Sequence, residues 1–186
     1  MTKDDILEAA AQVFRQKGFH GASMKNIADA VSLQKASLYH HVASKQEILL
    51  LILDRALELL LERICAITVQ EISPDKKLPL MMREYMKILM ENQDLAAVLL
   101  FEHRSLERKQ HAQHVPARDK FEQLWKDVIA EGVKARIFQC DDPGLATRAL
   151  FGIMNWTMTW YDPNGPYTIE QISDQYSNLI LNGLLK

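Results

Sequence analysis

The chain has 186 residues, of which 48% are hydrophobic, and its formal net charge at pH 7 is −2. Such a length can bury one large core, or a small domain of about fifty residues beside a larger one. The longest uninterrupted apolar run, residues 95 to 101, is far shorter than the roughly twenty residues that cross a bilayer. Because the N-terminal residues also contain no apolar signal segment, we expect a cytoplasmic protein without a membrane partner.

The residues that could carry covalent or metal chemistry do not form a known pattern. Cys65 and Cys140 are far apart in sequence and are expected to be free thiols. A metal site at His103, His111 and His114 is the sharper alternative to a solvated segment, but these spacings match no common ligand set. A glycine-rich phosphate loop, a nucleophile elbow and a His-Glu-x-x-His motif are all missing from the sequence. We therefore predict no enzyme activity, no metal and no cofactor.

Apolar residues recur at helical spacing along the whole chain, without a convincing alternating run. The pattern predicts an all-α fold of about nine helices. A first helix at about residues 3 to 16 should stop at Gly18, because glycine is typical of helix ends. It would form a three-helix head with the two helices that follow.

Residues 23 to 47 have the pattern of two short helices joined by a tight turn. Ser23 can cap the first of these helices with its hydroxyl. The predicted buried positions are Ile27, Ala28 and Val31 in the first helix, and Ala36 with Leu38 or Val42 in the second helix, at about residues 35 to 42. Leu33 closes the turn between them. The second helix then leaves outward a cation, a hydroxyl, a phenol and an imidazole, which suit phosphate oxygens and base edges. These side chains are Lys35, Ser37, Tyr39 and His40.

The charge of this region is too small to drive DNA binding by itself. Residues 1 to 47 contain six Lys or Arg and five Asp or Glu, a net charge of +1 before histidines are counted. Individual phosphate contacts should therefore matter more than bulk attraction. Lys25, Tyr39 and Lys45 are the predicted phosphate contacts. An ordinary helix pair in an all-helical protein is the alternative interpretation.

The sequence Ser-Leu-Tyr-His-His-Val at residues 37 to 42, followed by Ser-Lys-Gln-Glu at 44 to 47, resembles the signature of the tetracycline-repressor (TetR) family. The resemblance extends upstream to residue 6 and covers about fifty residues closely. It implies a helix-turn-helix DNA-binding domain at residues 1 to 47 and a ligand-binding and dimerisation domain at residues 48 to 186. The family usually has glycine in the turn where this chain has Ser32, so a strained or slightly altered turn is expected.

The rest of the chain is predicted to be helical. A long helix from about residue 44 to 69 leads from the head into the body, and Pro74 lies in the first turn of the next helix. Further helices are expected at about 78 to 91, 94 to 105 and 117 to 135, the last of them after Pro116. The charged segment at 102 to 114 is predicted to be a solvated helix and loop.

Two strongly apolar helices are predicted at the C-terminal end, at about residues 143 to 161 and 168 to 185, around the turn sequence Asp-Pro-Asn-Gly-Pro. Each is apolar on more than one side, which one chain cannot cover. We therefore predict a homodimer held by a four-helix bundle of this pair and its copy. Two heads held in this way would bind half-sites about 34 to 36 Å apart on a near-palindromic DNA operator.

The effector is predicted from a second, narrower resemblance. Residues such as Arg118-Asp119 with Phe121, Asn155-Trp156 and Trp160-Tyr161 resemble the TetR regulators that respond to fatty-acyl or related coenzyme A thioesters. An acyl chain needs an apolar tunnel, which flexible methionines can line, and cations can hold the phosphates. The candidate ligand-binding residues are Met86, Met90, Arg104, Arg118, Phe121, Asn155 and Trp156. Core packing is the alternative role for the methionines, and core or dimer packing for Trp156.

These predictions combine into a ligand-responsive repressor, released from its operator by a small apolar effector such as a fatty acyl-CoA. Two alternatives remain from the sequence: a structural helical dimer or adaptor without DNA binding, and a regulator of the same type that senses a different apolar or aromatic ligand. An activator, or a repressor that needs its ligand as co-repressor, would have the same motif.

Overall fold

The computed structural model describes residues 2 to 184, so the predicted last residue of the C-terminal helix, Leu185, lies outside the described residues. Within this range the chain forms nine α-helices and no β-strand, which confirms the all-α prediction. The helices are α1 (Lys3–Gly21), α2 (Met24–Ala30), α3 (Lys35–Leu38), α4 (Lys45–Thr68), α5 (Pro74–Glu91), α6 (Gln93–Ala97), α7 (Arg108–Lys134), α8 (Pro143–Trp156) and α9 (Ile169–Leu184). None of the helices between residues 2 and 184 is both long enough and apolar enough to span a membrane.

The chain divides into two compact units. The first comprises the residues up to 58 together with 92 to 118, and the second comprises 59 to 91 together with the residues from 119 onward. The first unit thus extends the predicted head, residues 1 to 47, by the first part of α4 and by residues 92 to 118. Because α4 runs from residue 45 to 68, it contributes to both units.

The first unit is built around one apolar core from α1, α2, α3, α4 and the segment after α6. Fully buried members of this core are Ile6, Ala10, Phe14, Ile27, Leu38, Ile48, Leu49, Ile52, Leu53 and Val98. A capping box starts α1, since the Thr2 hydroxyl accepts from the Asp5 N–H and the Asp5 carboxylate accepts from the Thr2 N–H. Gly18, with φ of +68°, breaks α1 at the predicted position, and one more helical turn continues to residue 21.

The predicted helix-turn-helix forms, with a shorter second helix. Ser23 caps α2 as predicted, because its hydroxyl accepts from the Asn26 N–H at 3.1 Å. α3 ends at Leu38, four residues before the predicted end, and a turn closed by the bond from the His41 N–H to the Leu38 carbonyl follows. The predicted burial of Ala36 is wrong, since this residue is exposed, whereas Leu38 and Val42 are both buried. Those two residues anchor the short helix on the core.

Ser32, in the turn between α2 and α3, has a left-handed backbone with φ of +54°. A side chain in this region costs about 1–2 kcal/mol relative to glycine, which explains the preference for glycine at this turn. The serine therefore accepts the conformation that the turn requires, at the cost anticipated from the sequence.

The variant Ser32→Gly should raise the free energy of unfolding by up to about 1 kcal/mol, because the gain from relieved strain exceeds the added freedom of the unfolded chain. Urea denaturation followed by circular dichroism measures this change. The matched control is Ala30→Gly, at an exposed helical residue nearby. A glycine at this position should instead lower the free energy of unfolding by about 0.5–1 kcal/mol. A Ser32→Gly variant that is less stable than the unmodified protein would show that the backbone at Ser32 is not strained.

The region around Pro116 differs from the prediction. Instead of a solvated helix and loop at 102 to 114 and a separate helix from about 117, one helix, α7, begins at Arg108 and continues through Pro116 to Lys134. A proline inside a helix removes one backbone hydrogen bond. Burial of His114 against Asp54, with 3.2 Å between the Nδ1 and Oδ1 atoms, holds the turn before the proline in place. Tertiary packing therefore overrides the local helix-breaking signal.

The segment after α6 also differs from a single helix at 94 to 105. α6 is followed by a π-helical turn, Val98–Glu102, and by a 3-10 turn, His103–Ser105. α8 likewise ends at Trp156, before the predicted residue 161, and continues as a 3-10 turn, Thr157–Thr159. The start of α5 at Pro74 is as predicted.

The second unit is formed by α5, α8, α9 and the C-terminal parts of α4 and α7. Its buried side chains include Leu60, Ile64, Leu78, Met81, Met82, Met86, Trp125, Ile129, Leu150 and Met154. Ion pairs connect its helices, among them those from Lys77 in α5 to Glu131 in α7 at 3.2 Å and from Arg83 in α5 to Asp174 in α9. After α7 the chain turns sharply, because the Ile137 and Phe138 N–H groups both donate to the Gly132 carbonyl.

Candidate DNA-binding and effector sites

The predicted DNA-contacting side chains of α2 and α3 lie at the surface of the first unit. Lys25, Lys35, Tyr39 and His40 are exposed, and Ser37 is half-buried. Tyr39 is 47% exposed, which is unusual for so large an aromatic side chain and leaves its hydroxyl accessible. Around these groups, Leu38 and Val42 fix the backbone by burial. The arrangement therefore presents cationic and hydroxyl donors from a rigid support, as phosphate and base contacts require.

Lys45 has a structural role that its sequence position did not reveal. Its ammonium group donates to the carbonyls of Phe19 and Ala22, both at 2.7 Å, and lies 4.3 Å from the centre of the Phe19 ring. These bonds use two of its three donors and leave one for a phosphate. Lys45 thus ties the first turn of α4 to the link between α1 and α2.

A second tie at the same turn was also missed by the sequence interpretation. The Gln46 amide donates to the Ser105 carbonyl at 2.8 Å, and its side-chain oxygen accepts from the Glu107 N–H at 3.0 Å. Arg15 in α1 adds a contact to α6, with 3.0 Å between its guanidinium and the Asp94 carboxylate. No signal in the sequence pairs residues so far apart along the chain. These contacts explain why residues 92 to 118 belong to the first unit.

Two of the predicted effector residues, Arg104 and Arg118, are exposed residues of the first unit. The histidines of the same stretch do not converge on a cation. His103 faces the Leu99 carbonyl, His114 faces Asp54, and His111 is exposed. Burial lowers the pKa of His103, and the hydrogen bond to Leu99 opposes this shift. Within residues 2 to 184 no group of three potential ligands is placed to hold a metal ion.

Four aromatic rings form a cluster in the second unit, which we call the ring cluster: Tyr85 of α5, Phe121 and Trp125 of α7, and Phe151 of α8. Their centroids are 5.3 to 6.3 Å apart. Phe121 and Phe151 stack, with 10° between their planes, whereas Trp125 meets the other rings edge-on. The Tyr85 hydroxyl donates to the Asn155 side-chain oxygen at 2.6 Å.

The ring cluster brings together Phe121 and Asn155, two of the residues predicted to bind the effector. Met86 is fully buried and Met90 half-buried in the same unit, whereas Trp156 is 66% exposed. Tyr85 and Phe151 were not among the predicted site residues. A helical spacing marks such residues only as inward-facing, and it cannot distinguish a ligand site from a core.

The stability of the second unit should depend on pH through Tyr85. Burial raises the pKa of this phenol above its ordinary value of 10.0, and the bond to Asn155 opposes the shift. The unfolded chain loses this proton near pH 10 while the folded chain keeps it, so the free energy of unfolding should fall as the pH rises above about 10.

Urea denaturation between about pH 9 and pH 11 tests this dependence. The decline in stability should be shallower in Tyr85→Phe, because the ionising group is gone, and unchanged in the control Tyr167→Phe, at an exposed tyrosine. An identical decline in all three proteins would show that Tyr85 ionises normally in the folded state.

The faces of α8 and α9 carry exposed apolar side chains. Leu145, Trp156 and Leu179 are 64%, 66% and 69% exposed, respectively. Beside them lies a groove of about 230 Å³ lined by Ala146, Ala149, Leu150, Ile153, Leu179, Ile180 and Gly183. A patch of this kind is typical of a surface that a partner covers.

Comparison with known proteins agrees with this geometry. Residues 6–51 match the family model for bacterial regulatory proteins of the tetR family, and residues 71–184 match the model for the tetracyclin repressor-like C-terminal domain. The HTH-type transcriptional repressor KstR2 of Mycobacterium tuberculosis (strain ATCC 25618 / H37Rv) is 27% identical over 186 residues, which cover 99% of this chain and 93% of the relative.

Two solved structures are similar over nearly their whole length. The TetR family regulator PfmR from Thermus thermophilus is 32% identical with a TM-score of 0.87, covering 97% of this chain and 99% of that chain. AibR, solved in complex with isovaleryl coenzyme A and operator DNA, is 25% identical with a TM-score of 0.89, covering 95% and 96%. Since the C-terminal model alone matches more than half of the chain, this protein belongs to the TetR family of helix-turn-helix transcriptional regulators and is not an enzyme.

Proposed function

We propose that this regulator is a homodimeric repressor that leaves its operator when a small apolar effector, such as a fatty acyl-CoA, binds the C-terminal domain. Two observations together carry the proposal: one unit has an exposed helix-turn-helix, and the other has a ring cluster in which three of the four rings are buried. Operator contacts are assigned to Lys25, Lys35, Ser37, Tyr39, His40 and the remaining donor of Lys45.

The dimer contact is assigned to α8 and α9. Burying the exposed Leu145, Trp156 and Leu179 against a second copy would remove the largest apolar surface on these helices from water. A two-fold pairing also presents two identical heads, as a near-palindromic operator with half-sites about 34 to 36 Å apart requires.

The effector site is assigned to the second unit. Met86, Phe121 and Asn155 lie there, and polarizable methionines and rings suit a hydrocarbon chain. AibR supports a coenzyme A thioester as the effector class, because that protein has been solved with isovaleryl coenzyme A. To relieve repression about a hundredfold, the effector must favour the released conformation by roughly 2.7 kcal/mol, which burial of an alkyl chain can supply.

Fluorescence anisotropy on labelled DNA from upstream of the protein's own gene tests this proposal. Isovaleryl, decanoyl and palmitoyl coenzyme A are titrated into the complex, with the free acids and coenzyme A as controls. Release by at least one thioester, but not by coenzyme A, is the expected result. If the protein binds the DNA and no thioester releases it, coenzyme A thioesters are rejected as the effector class, and the assignment as a DNA-binding regulator stands.

A further inference from the structure

Trp125 has a donor without an acceptor in the centre of the second unit. Its side chain is 0% exposed, and its indole N–H meets no hydrogen-bond partner among the described residues. A buried donor that has lost water without gaining an acceptor destabilises the fold. A buried donor of this kind calls for an acceptor from outside the chain.

The neighbouring side chains do not replace this acceptor. The indole meets Tyr85, Phe121 and Phe151 edge-on, at angles of 82°, 70° and 72°, and aromatic faces accept hydrogen bonds only weakly. The polar pair of the cluster is already occupied, because the Tyr85 hydroxyl donates to Asn155. The ring cluster is therefore apolar apart from one satisfied pair and one unsatisfied donor.

We infer that the Trp125 indole N–H donates to a carbonyl oxygen of the effector and thereby selects acyl compounds over alkyl ones. The inference rests on the proposed function, which places the effector in this unit. The stacked rings of Phe121 and Phe151 would take the hydrocarbon beside the carbonyl. Phe151 is only half-buried, whereas the other three rings are buried, so a ligand would approach the cluster past this ring.

Matched ligands isolate this hydrogen bond. Isovaleryl, decanoyl and palmitoyl coenzyme A are each paired with the thioether in which a methylene replaces the carbonyl, and affinities are measured by isothermal titration calorimetry. The unmodified protein should bind at least one thioester about tenfold more tightly than its thioether. Trp125→Phe, which keeps an aromatic ring and removes the donor, should bind both members of that pair with equal affinity.

The control Trp160→Phe removes an exposed indole from the same unit and should keep the tenfold preference. A second measurement, of the indole proton signals by NMR, leaves Trp125 itself unsubstituted. The chain has three tryptophans, so its indole protons give three signals that Trp156→Phe and Trp160→Phe assign. The Trp125 proton signal should move downfield with the thioester and not with the thioether.

The outcomes separate the two levels of the proposal. Binding of thioester and thioether with equal affinity, or an unmoved Trp125 signal, would overturn the role of Trp125 and leave the effector class intact. An unmodified protein that binds none of the three thioesters would overturn both. A preference lost in Trp125→Phe and kept in Trp160→Phe supports the inference.

Discussion

The double variant Lys35→Ala with Tyr39→Ala should bind operator DNA about a hundredfold more weakly than the unmodified protein. Each lost contact to a phosphate or base edge is worth roughly a factor of ten. Both side chains are exposed, so the fold of the head should be unaffected. Fluorescence anisotropy at fixed salt measures the affinity. When the salt concentration is varied, the slope of log affinity against log salt should become shallower by about 0.9 for the lost lysine.

The control for this pair is Lys134→Ala with Tyr167→Ala. It removes the same two side-chain types from exposed positions in the second unit. Operator affinity should stay within about twofold of the unmodified protein, as is usual for surface changes outside an interface. Equal losses in both double variants would mean that the head is not the DNA-binding surface.

Substitution of Gly132 by alanine should lower the free energy of unfolding by about 2–3 kcal/mol. A Cβ atom at this position would lie 2.1 Å from the Cδ2 atom of the Phe138 ring. The ring cannot easily withdraw, because Phe138 is buried and its N–H is bonded to the Gly132 carbonyl. Urea denaturation at constant protomer concentration measures the loss.

Gly21→Ala is the matched control, since the atom nearest to a Cβ at this helical glycine, the Cβ of Lys17, lies at 3.9 Å. That variant should be more stable by about 0.5–1 kcal/mol, as alanine favours the helix. The loss in Gly132→Ala should also shrink in a Phe138→Ala background, because the clashing ring is then gone. Equal stability of Gly132→Ala and the unmodified protein would contradict the close contact.

Local signals in the sequence predicted much of the head. Ser23 caps its helix and Gly18 breaks α1 as expected, because capping and a positive φ depend on residues within one turn. The strained turn at Ser32 could also be predicted from the residues next to it. The length of α3 could not be predicted in this way, since its end depends on how Leu38 and Val42 both reach the core.

Contacts distant in sequence account for what was missed. Pro116 predicted a helix start, but α7 passes through it because His114 is anchored by Asp54 from another helix. Trp125 could be placed inward from its spacing, yet the unsatisfied indole appears only when the neighbours on α5 and α8 are known. A periodic pattern identifies which face is buried and carries no information on the partners it meets.

The two ties at the start of α4 determine which parts of the first unit move together. Lys45 fastens this turn to the end of α1, and the adjacent Gln46 fastens it to residues 105 to 107. If the proposed effector tilts α4, these contacts would make α1, the α2–α3 pair and this later segment move together with it. Release from the operator would then result from misalignment of an intact helix-turn-helix, and not from local unfolding of the helix-turn-helix.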